Sequence, residues 1–187
     1  MRVLAIFLTL LASGFSSGAD RMSVLLDVPI QLRVRNWPDE YGSGSCVHAS
    51  TIVLLNSRGL DSTANYWRKH YSGGEYPNTL INKLSNTSLK YAVERNGSPE
   101  FLKWAAKNRL GAGIAYKPRH FINLVDFTKD KVTLLDNNSP YQYEYVETRV
   151  FLRKWKEEYG GFAFTLVYNP LPPWPIISSI RIATNGQ

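Results

Sequence analysis

The single cysteine of this sequence stands where a helix is predicted to begin, a position that can activate a thiol. Cys46 follows the small residues "GSGS" and precedes an apolar run that predicts a helix to about Ser57, with Ser45 as its N-cap and Gly59 as its stop. The free backbone N–H groups and the dipole of a first helical turn favour an anion, and hence the thiolate. A thiolate in an open loop-to-helix junction is typical of nucleophilic catalysis.

A nucleophilic thiolate needs a base, which is usually an imidazole, and the sequence has three histidines. His48 is two residues from Cys46 on the same predicted helix, so its side chain points to a different face. His70 lies in the polar helix end "WRKHYSGG" and is interpreted as solvated surface. His120 opens an apolar strand, which makes it the candidate base.

The strand that begins at His120 is predicted to form an antiparallel hairpin with the next apolar run. Asp136 follows His120 by sixteen residues and ends the second strand, with Asn137 directly after it. Because the outer ends of a hairpin lie side by side, the His120 ring is expected within reach of Asp136 or Asn137. Either side chain could orient the imidazole, and both remain candidates.

The elements that must position these residues change in character along the chain, from helices to strands. Helical patterns cover residues 46–57, 61–71, 77–86, 99–110 and 148–158. Extended patterns cover residues 88–97, 111–117, 120–127, 132–138, 142–147 and 162–168. Helices that come first and strands that come second predict an α+β domain.

The N-terminus has the layout of a secretory signal peptide, assigned to residues 1–19. Arg2 is followed by an apolar run to about Phe15 and by small residues ahead of Asp20. This run is too short to span a bilayer, and no integral membrane span is expected after cleavage. The predicted domain covers residues 20–170 and a proline-rich tail covers 171–187. The mature chain is expected to be secreted or periplasmic.

The formal net charge of +7 comes from scattered lysines and arginines rather than from a basic run. A basic excess favours anionic surfaces, but the sequence has no nucleic-acid-binding motif, so a solvated basic surface is expected and nucleic acid is not expected as a partner. One cysteine and dispersed histidines lack metal-ligand spacing, and "GSGSC" lacks the ending of a phosphate-binding loop. Neither a metal nor a cofactor is expected.

The chain resembles papain-like cysteine peptidases, in the broad sense that includes their C39-like bacterial branch. Three segments carry the resemblance: "GSGSCVHASTIVLL", "HFINLVDF" and "VTLLDNNSP". Together with "RNWPDEYGSGSCVHAS", "YSGGE" and "GAGIAYKPRHF", they look most like a group of predicted bacterial papain-like peptidases, many from planctomycetes. The resemblance runs from about Val28 to Pro175. It implies a papain-like fold in which an N-terminal helical part, with the nucleophile helix, packs on a C-terminal antiparallel sheet.

The resemblance also implies roles for the candidate residues. Cys46 would be the nucleophile, His120 the base and then the acid, and Asp136 or Asn137 the orienting group. The sixteen-residue spacing favours Asp136, whereas papain itself uses an amide, which keeps Asn137 open.

The expected side-chain donor to the oxyanion departs from the family pattern. Papain-like enzymes place a glutamine a few residues before the cysteine, whereas here the nearest is Gln31, fifteen residues upstream. Asn36 is a second amide candidate. The backbone N–H of Cys46 is expected to be the other donor.

The predicted function is therefore a secreted cysteine hydrolase that cleaves a peptide or isopeptide bond through a thioester, with a peptide, protein or cell-wall peptide as substrate. Transglutaminase-like or cell-wall amidase acyl transfer is an alternative. A non-catalytic binding module on the same scaffold is another. Its ligand groove could be lined by tryptophans, although tryptophans more often belong to a core: Trp37, Trp67, Trp104, Trp155 and Trp174.

Overall fold

The structure is a computed structural model that describes residues 26–168 and 181–183. Its helices are α1 (Cys46–Asn56), α2 (Asp61–His70), α3 (Pro77–Ser85), α4 (Pro99–Lys107) and α5 (Thr148–Arg153), which continues as a π-helix over Lys154–Glu158. The strands are β1 (Tyr91–Glu94), β2 (Ala112–Ala115), β3 (Phe121–Phe127), β4 (Lys131–Leu135), β5 (Glu144–Glu147), β6 (Ala163–Leu166) and β7 (Arg181–Ala183). The predicted α+β class is confirmed. Within the described ranges, no helix is both long and apolar enough to cross a membrane.

All the described strands belong to one sheet, and every neighbouring pair is antiparallel. The strand order is β5-β4-β3-β2-β6-β1-β7. β7 pairs with β1, so it adds an edge strand from the region predicted to be a tail. The predicted signal peptide and the proline-rich segment itself lie outside the described residues.

Helices cover both faces of the sheet because the strand side chains alternate between two hydrophobic clusters. Ile122 of β3 packs in one cluster with Phe101 of α4 and Phe151 of α5. The preceding residue, Phe121, packs in the other cluster with Leu54 of α1. Successive residues of a strand point to opposite faces, so one apolar strand supplies both layers.

Helix α1 lies in the middle of the molecule, and its sequence explains why. Every residue from Cys46 to Leu55 is buried, which matches a helix whose apolar side chains occur around its whole circumference. It packs between α2 and strand β3. The predicted helix from Cys46 to about Ser57 therefore forms, with Asn56 as its last residue.

Three of the predicted candidate groove residues, Trp67, Trp104 and Trp155, belong to the core. Trp67 and Trp155 are fully buried and Trp104 is 6% exposed. Trp37 is half-buried, with the guanidinium of Arg68 above its ring. Trp174 lies outside the described residues. The described tryptophans therefore stabilise the fold through apolar burial, which gives a binding groove lined by them little support.

Two adjacent glycines before β6, Gly160 and Gly161, differ in how closely another backbone segment approaches them. Gly160 and Gly161 both have a positive φ, of 77° and 63°. A Cβ added to Gly161 would lie 2.5 Å from the Cα of Gly97, whereas one added to Gly160 would have nothing within 4 Å. The Gly97 backbone cannot move easily, because its N–H donates to the carbonyl of Gly161 at 3.2 Å.

We expect Gly161→Ala to lower the free energy of unfolding by about 2–4 kcal/mol, since it adds a backbone clash to the cost of a left-handed conformation. Gly160→Ala is the matched control and should cost about 1 kcal/mol, because it meets only the conformational cost. Urea unfolding of both variants measures the difference. Equal losses would contradict the close approach of these two segments.

Candidate active site

Cys46, His120 and Asp136 form a continuous line of contacts where α1 meets the β3–β4 hairpin. Nε2 of the His120 imidazole lies 2.7 Å from Oδ1 of Asp136, and the Cys46 thiol lies close enough to the ring to raise the pKa of His120. Because Nε2 faces the carboxylate, Nδ1 is left for the thiol. The structure thus brings together the candidate nucleophile, the candidate base and Asp136, one of the two candidates for the orienting group.

The hairpin brings His120 and Asp136 together through its register. Asn123 of β3 pairs with Leu135 of β4, so the residues just before β3 lie beside those just after β4. His120 is held immediately before β3, where its N–H donates to the carbonyl of Lys117 and its carbonyl accepts from the N–H of Tyr116. The predicted meeting of the outer hairpin ends is observed.

His120 and Asp136 each favour the charged form of the other. Burial alone would lower the pKa of His120, but hydrogen bonds to Asp136 and Cys46, together with their negative charge, raise it to about 9. Burial alone would raise the pKa of Asp136, but hydrogen bonds from His120, Lys117 and the N–H of Asn138 hold it well below its usual range. At neutral pH the site therefore favours an imidazolium beside an ionised carboxylate.

Asn137 does not take the position of the orienting group, for which the resemblance to papain-like peptidases had kept it as a candidate. Its amide Nδ2 instead lies within hydrogen-bonding distance of three acceptors of α1 and β3: the carbonyl of Cys46 at 3.0 Å, Oγ of Ser50 at 3.0 Å and the carbonyl of Phe121 at 2.7 Å. Because Asn137 is directed into this buried joint, Asp136 faces the imidazole. Through Asn137, this joint holds Phe121, the residue after His120, next to Cys46.

Ser45 stands at the N-cap of α1 but does not cap it with its side chain. Its hydroxyl oxygen instead accepts a hydrogen bond from the N–H of Gly73 at 2.8 Å. The loop between α2 and α3 is thereby fastened to the start of α1. The predicted N-cap position of Ser45 is confirmed, but its hydroxyl makes this tertiary contact instead of a capping hydrogen bond. The N–H groups of the first turn are not taken up by Ser45.

The two amide candidates for the oxyanion lie in different surroundings. Gln31 is exposed on a 3-10 turn, Ile30–Leu32, and the contact that ties this part of the chain to the site is made further along, at Asn36. The N–H of Asn36 donates to the carbonyl of Asn137 at 2.8 Å, and its Nδ2 donates to Oδ1 of Asn138 at 3.0 Å. Asn36, not Gln31, therefore lies beside the candidate site.

The other two histidines lie away from the candidate site, one on the surface and one in the core. His70 is exposed and stacks on Tyr66, in agreement with the surface interpretation. His48 is fully buried, and its Nδ1 accepts a hydrogen bond from the indole N–H of Trp67 at 3.1 Å. Burial and the charge of Lys83 lower the pKa of His48 to about 4, against a raising effect of Glu75. His48 is therefore neutral at neutral pH and joins α1 to α2.

Two residues that were not predicted from the sequence also contact the site. Nζ of Lys117 lies 2.8 Å from Oδ2 of Asp136, and the side-chain amide of Asn138 lies 3.4 Å from Nε2 of His120. Both flank residues that the hairpin argument had already selected, and that proximity was the signal available. Among the described residues, no group of three metal-ligating side chains comes together.

We expect the Asp136→Asn substitution to lower the His120 pKa by about 1–2 pH units, because burial persists while the carboxylate charge is lost. An NMR titration of the imidazole measures this. Asp130→Asn removes an exposed carboxylate at the opposite end of the hairpin, so it is the control and should leave the pKa within about 0.5 of the wild-type value. An unchanged titration in Asp136→Asn would contradict the pairing.

The same pair predicts how stability depends on pH. The folded-state pKa of His120, about 9, lies above its ordinary value of 6.5. The contribution of the protonated imidazole to stability is therefore fully present below pH 6.5 and is lost as the pH rises through about 9. The difference in free energy of unfolding between the wild type and Asp136→Asn should shrink over this range in denaturant titrations.

We expect Asn137→Ala to lower the free energy of unfolding by about 2–4 kcal/mol, since it removes the buried amide donor shared by the carbonyls of Cys46 and Phe121 and by Oγ of Ser50. It should also slow alkylation of Cys46 by iodoacetamide, because the joint between thiol and imidazole loosens. The exposed neighbour, changed in Asn138→Ala, is the matched control and should cost less than about 1 kcal/mol. Equal costs would contradict the role of the joint.

Comparisons of the chain with protein-family models, with curated proteins and with solved structures find no match. The papain-like arrangement expected from the sequence motifs therefore stays a prediction.

Proposed function

We propose that this chain is an exported, papain-like cysteine hydrolase that cleaves a peptide or isopeptide bond. The observation that carries the proposal is the line of contacts from the Cys46 thiol through the His120 imidazole to the Asp136 carboxylate. A nucleophile in contact with its base, and a base in contact with an orienting group, is the arrangement that activates a thiol.

Acylation begins when the Cys46 thiolate attacks the carbonyl carbon of the scissile bond. The carbon–sulfur bond forms, the carbonyl electron pair moves to oxygen, and a tetrahedral intermediate results. The His120 imidazolium then donates its proton to the leaving nitrogen, the carbon–nitrogen bond breaks, and the amine departs from a thioester. The raised pKa of His120, about 9, supports this order, because the imidazole holds a proton at neutral pH.

Deacylation returns the site to its starting state. Neutral His120 takes a proton from water, and the resulting hydroxide attacks the thioester carbonyl. The carbon–sulfur bond breaks, the acid is released, and the thiolate and imidazolium form again. Asp136 stays ionised throughout, because its pKa is held well below its usual range, and it keeps the imidazole in position.

The start of α1 supports a site for the developing oxyanion. Cys46 is the first residue of the helix, and first-turn N–H groups have no partner within a helix. Such groups stabilise negative charge where it develops. Asn36 is the side-chain candidate because it lies beside the site, whereas Gln31 is exposed on its turn. Donation from Asn36 would require its amide to leave Asn138.

The proposed substrate is a peptide or protein outside the cytoplasm, including the peptide part of a cell wall, where the net charge of +7 would favour an anionic polymer. Acyl transfer to an amine uses the same thioester and differs only in which nucleophile releases it. The two reactions are therefore separated by their products.

We expect wild-type protein to cleave members of a mixed library of internally quenched peptides, and Cys46→Ala to lose at least about 10³-fold in rate, because the nucleophile is gone. His120→Gln should lose a similar factor through loss of the base. The exposed histidine is the matched control, and His70→Gln should keep the wild-type rate. Circular dichroism of each variant checks that the fold is kept.

Cleavage that persists in Cys46→Ala would overturn the proposed mechanism. Adding a primary amine to the wild-type reaction distinguishes the acceptor: a product mass that contains the amine indicates acyl transfer, and a free acid indicates hydrolysis. If no peptide is cleaved and Cys46 reacts with iodoacetamide no faster than free cysteine, a binding module would be the better description.

A further inference from the structure

Lys117 contacts the Asp136 carboxylate on the side away from the imidazole. Its Nζ lies 2.8 Å from Oδ2 of Asp136 and 2.6 Å from Oε2 of Glu144. His120 contacts the other oxygen, Oδ1. One carboxylate is therefore shared between two cations, and the second of these is itself shared with Glu144.

The backbone of the β2–β3 turn is held in an unusual shape that makes this sharing possible. Lys117 and Arg119 have φ values of 70° and 53°, in the left-handed region that side chains other than glycine rarely adopt. Such residues persist where the surrounding structure imposes them, often at functional sites. Here the turn brings Lys117 and His120, three positions apart, onto opposite oxygens of Asp136.

The charged groups around the two cations are few and can be named. The groups that raise the pKa of His120 are Asp136 and Cys46. Burial alone would lower the pKa of Lys117, but hydrogen bonds to Asp136 and Glu144 raise it, so the side chain stays cationic. Glu144 and Lys117 also act in opposite directions on the neighbouring Tyr116 hydroxyl, whose pKa burial raises to about 12. Tyr116 is therefore neutral in the working range.

We propose that Lys117 is a positioning residue for the hydrolase: by sharing Asp136 with His120 it fixes the carboxylate and limits how tightly the imidazolium proton is held. A carboxylate paired only with His120 would stabilise the imidazolium more strongly and would slow release of its proton to the leaving amine. The catalytic meaning of this role rests on the proposed function, whereas the sharing of the carboxylate does not.

The test substitutes Lys117→Met and follows the His120 imidazole by NMR titration. We expect the midpoint to move to higher pH by about 0.5–1, because the competing cation is removed from Asp136. Lys117→Arg should keep the wild-type midpoint within about 0.3, since it restores a cation. A polar cavity of about 370 Å³ opens beside Lys117 and Asp136. The methionine side chain therefore fits without a steric clash, and water can solvate the side of Asp136 that Lys117 no longer contacts.

Arg119→Met is the control for a general change in charge. Arg119 is exposed on the same turn and has the same left-handed backbone, so its loss changes the net charge equally without touching Asp136. Its midpoint should stay near the wild-type value. The proposal is overturned if Lys117→Met leaves the midpoint unchanged, or if Arg119→Met moves it as far.

Glu144→Gln gives a second, opposite test, which holds even where Lys117→Met does not fold. Removing the Glu144 charge leaves Asp136 as the one carboxylate paired with Lys117, so the His120 midpoint should fall. A midpoint that stays or rises contradicts the sharing.

The cleavage assay distinguishes this proposal from the proposed function. A wild type without cleavage, combined with the expected midpoints, would refute the hydrolase but leave the shared carboxylate in place. Cleavage with unmoved midpoints would do the reverse.

Discussion

The buried polar joint between α1 and β3 is the constraint on which the candidate site depends. The Asn137 amide lies within hydrogen-bonding distance of the carbonyls of Cys46 and Phe121, which belong to the nucleophile and to the residue after the base. The amide of Asn123 adds a bond to the carbonyl of Ser50 at 3.0 Å. Buried carbonyls without donors are costly, so this joint fixes one relative position of the helix and the strand.

Around this joint the charges alternate from one element to the next. Glu144 of β5, Lys117 of the turn, Asp136 after β4 and His120 before β3 follow one another within hydrogen-bonding distance. Asp136 favours the protonated forms of His120 and Lys117, Glu144 favours that of Lys117, and both cations favour the ionised form of Asp136. The protonated state of His120 is therefore a property of the line and not of the histidine alone.

The start of α1 shows how tertiary contacts replace a local preference. A serine at an N-cap normally satisfies N–H groups of its own helix. Here its hydroxyl accepts from Gly73, which fixes the α2–α3 loop beside Cys46. The helix loses a local cap, so the N–H groups of its first turn remain available to the proposed oxyanion. A contact that is unfavourable for local helix stability thus becomes useful for the proposed chemistry.

The sequence by itself determined the elements and the main partners of the proposed chemistry. Apolar periodicity located α1, and the two strands around a short polar turn predicted that His120 would meet Asp136 or Asn137, because both signals are local. Tertiary structure alone decided that Asp136 and not Asn137 faces the imidazole, that Ser45 bonds Gly73, and that Lys117 shares the carboxylate. These outcomes depend on which acceptors and cations distant segments bring within about 3 Å, a distance that periodicity and spacing along the chain do not encode.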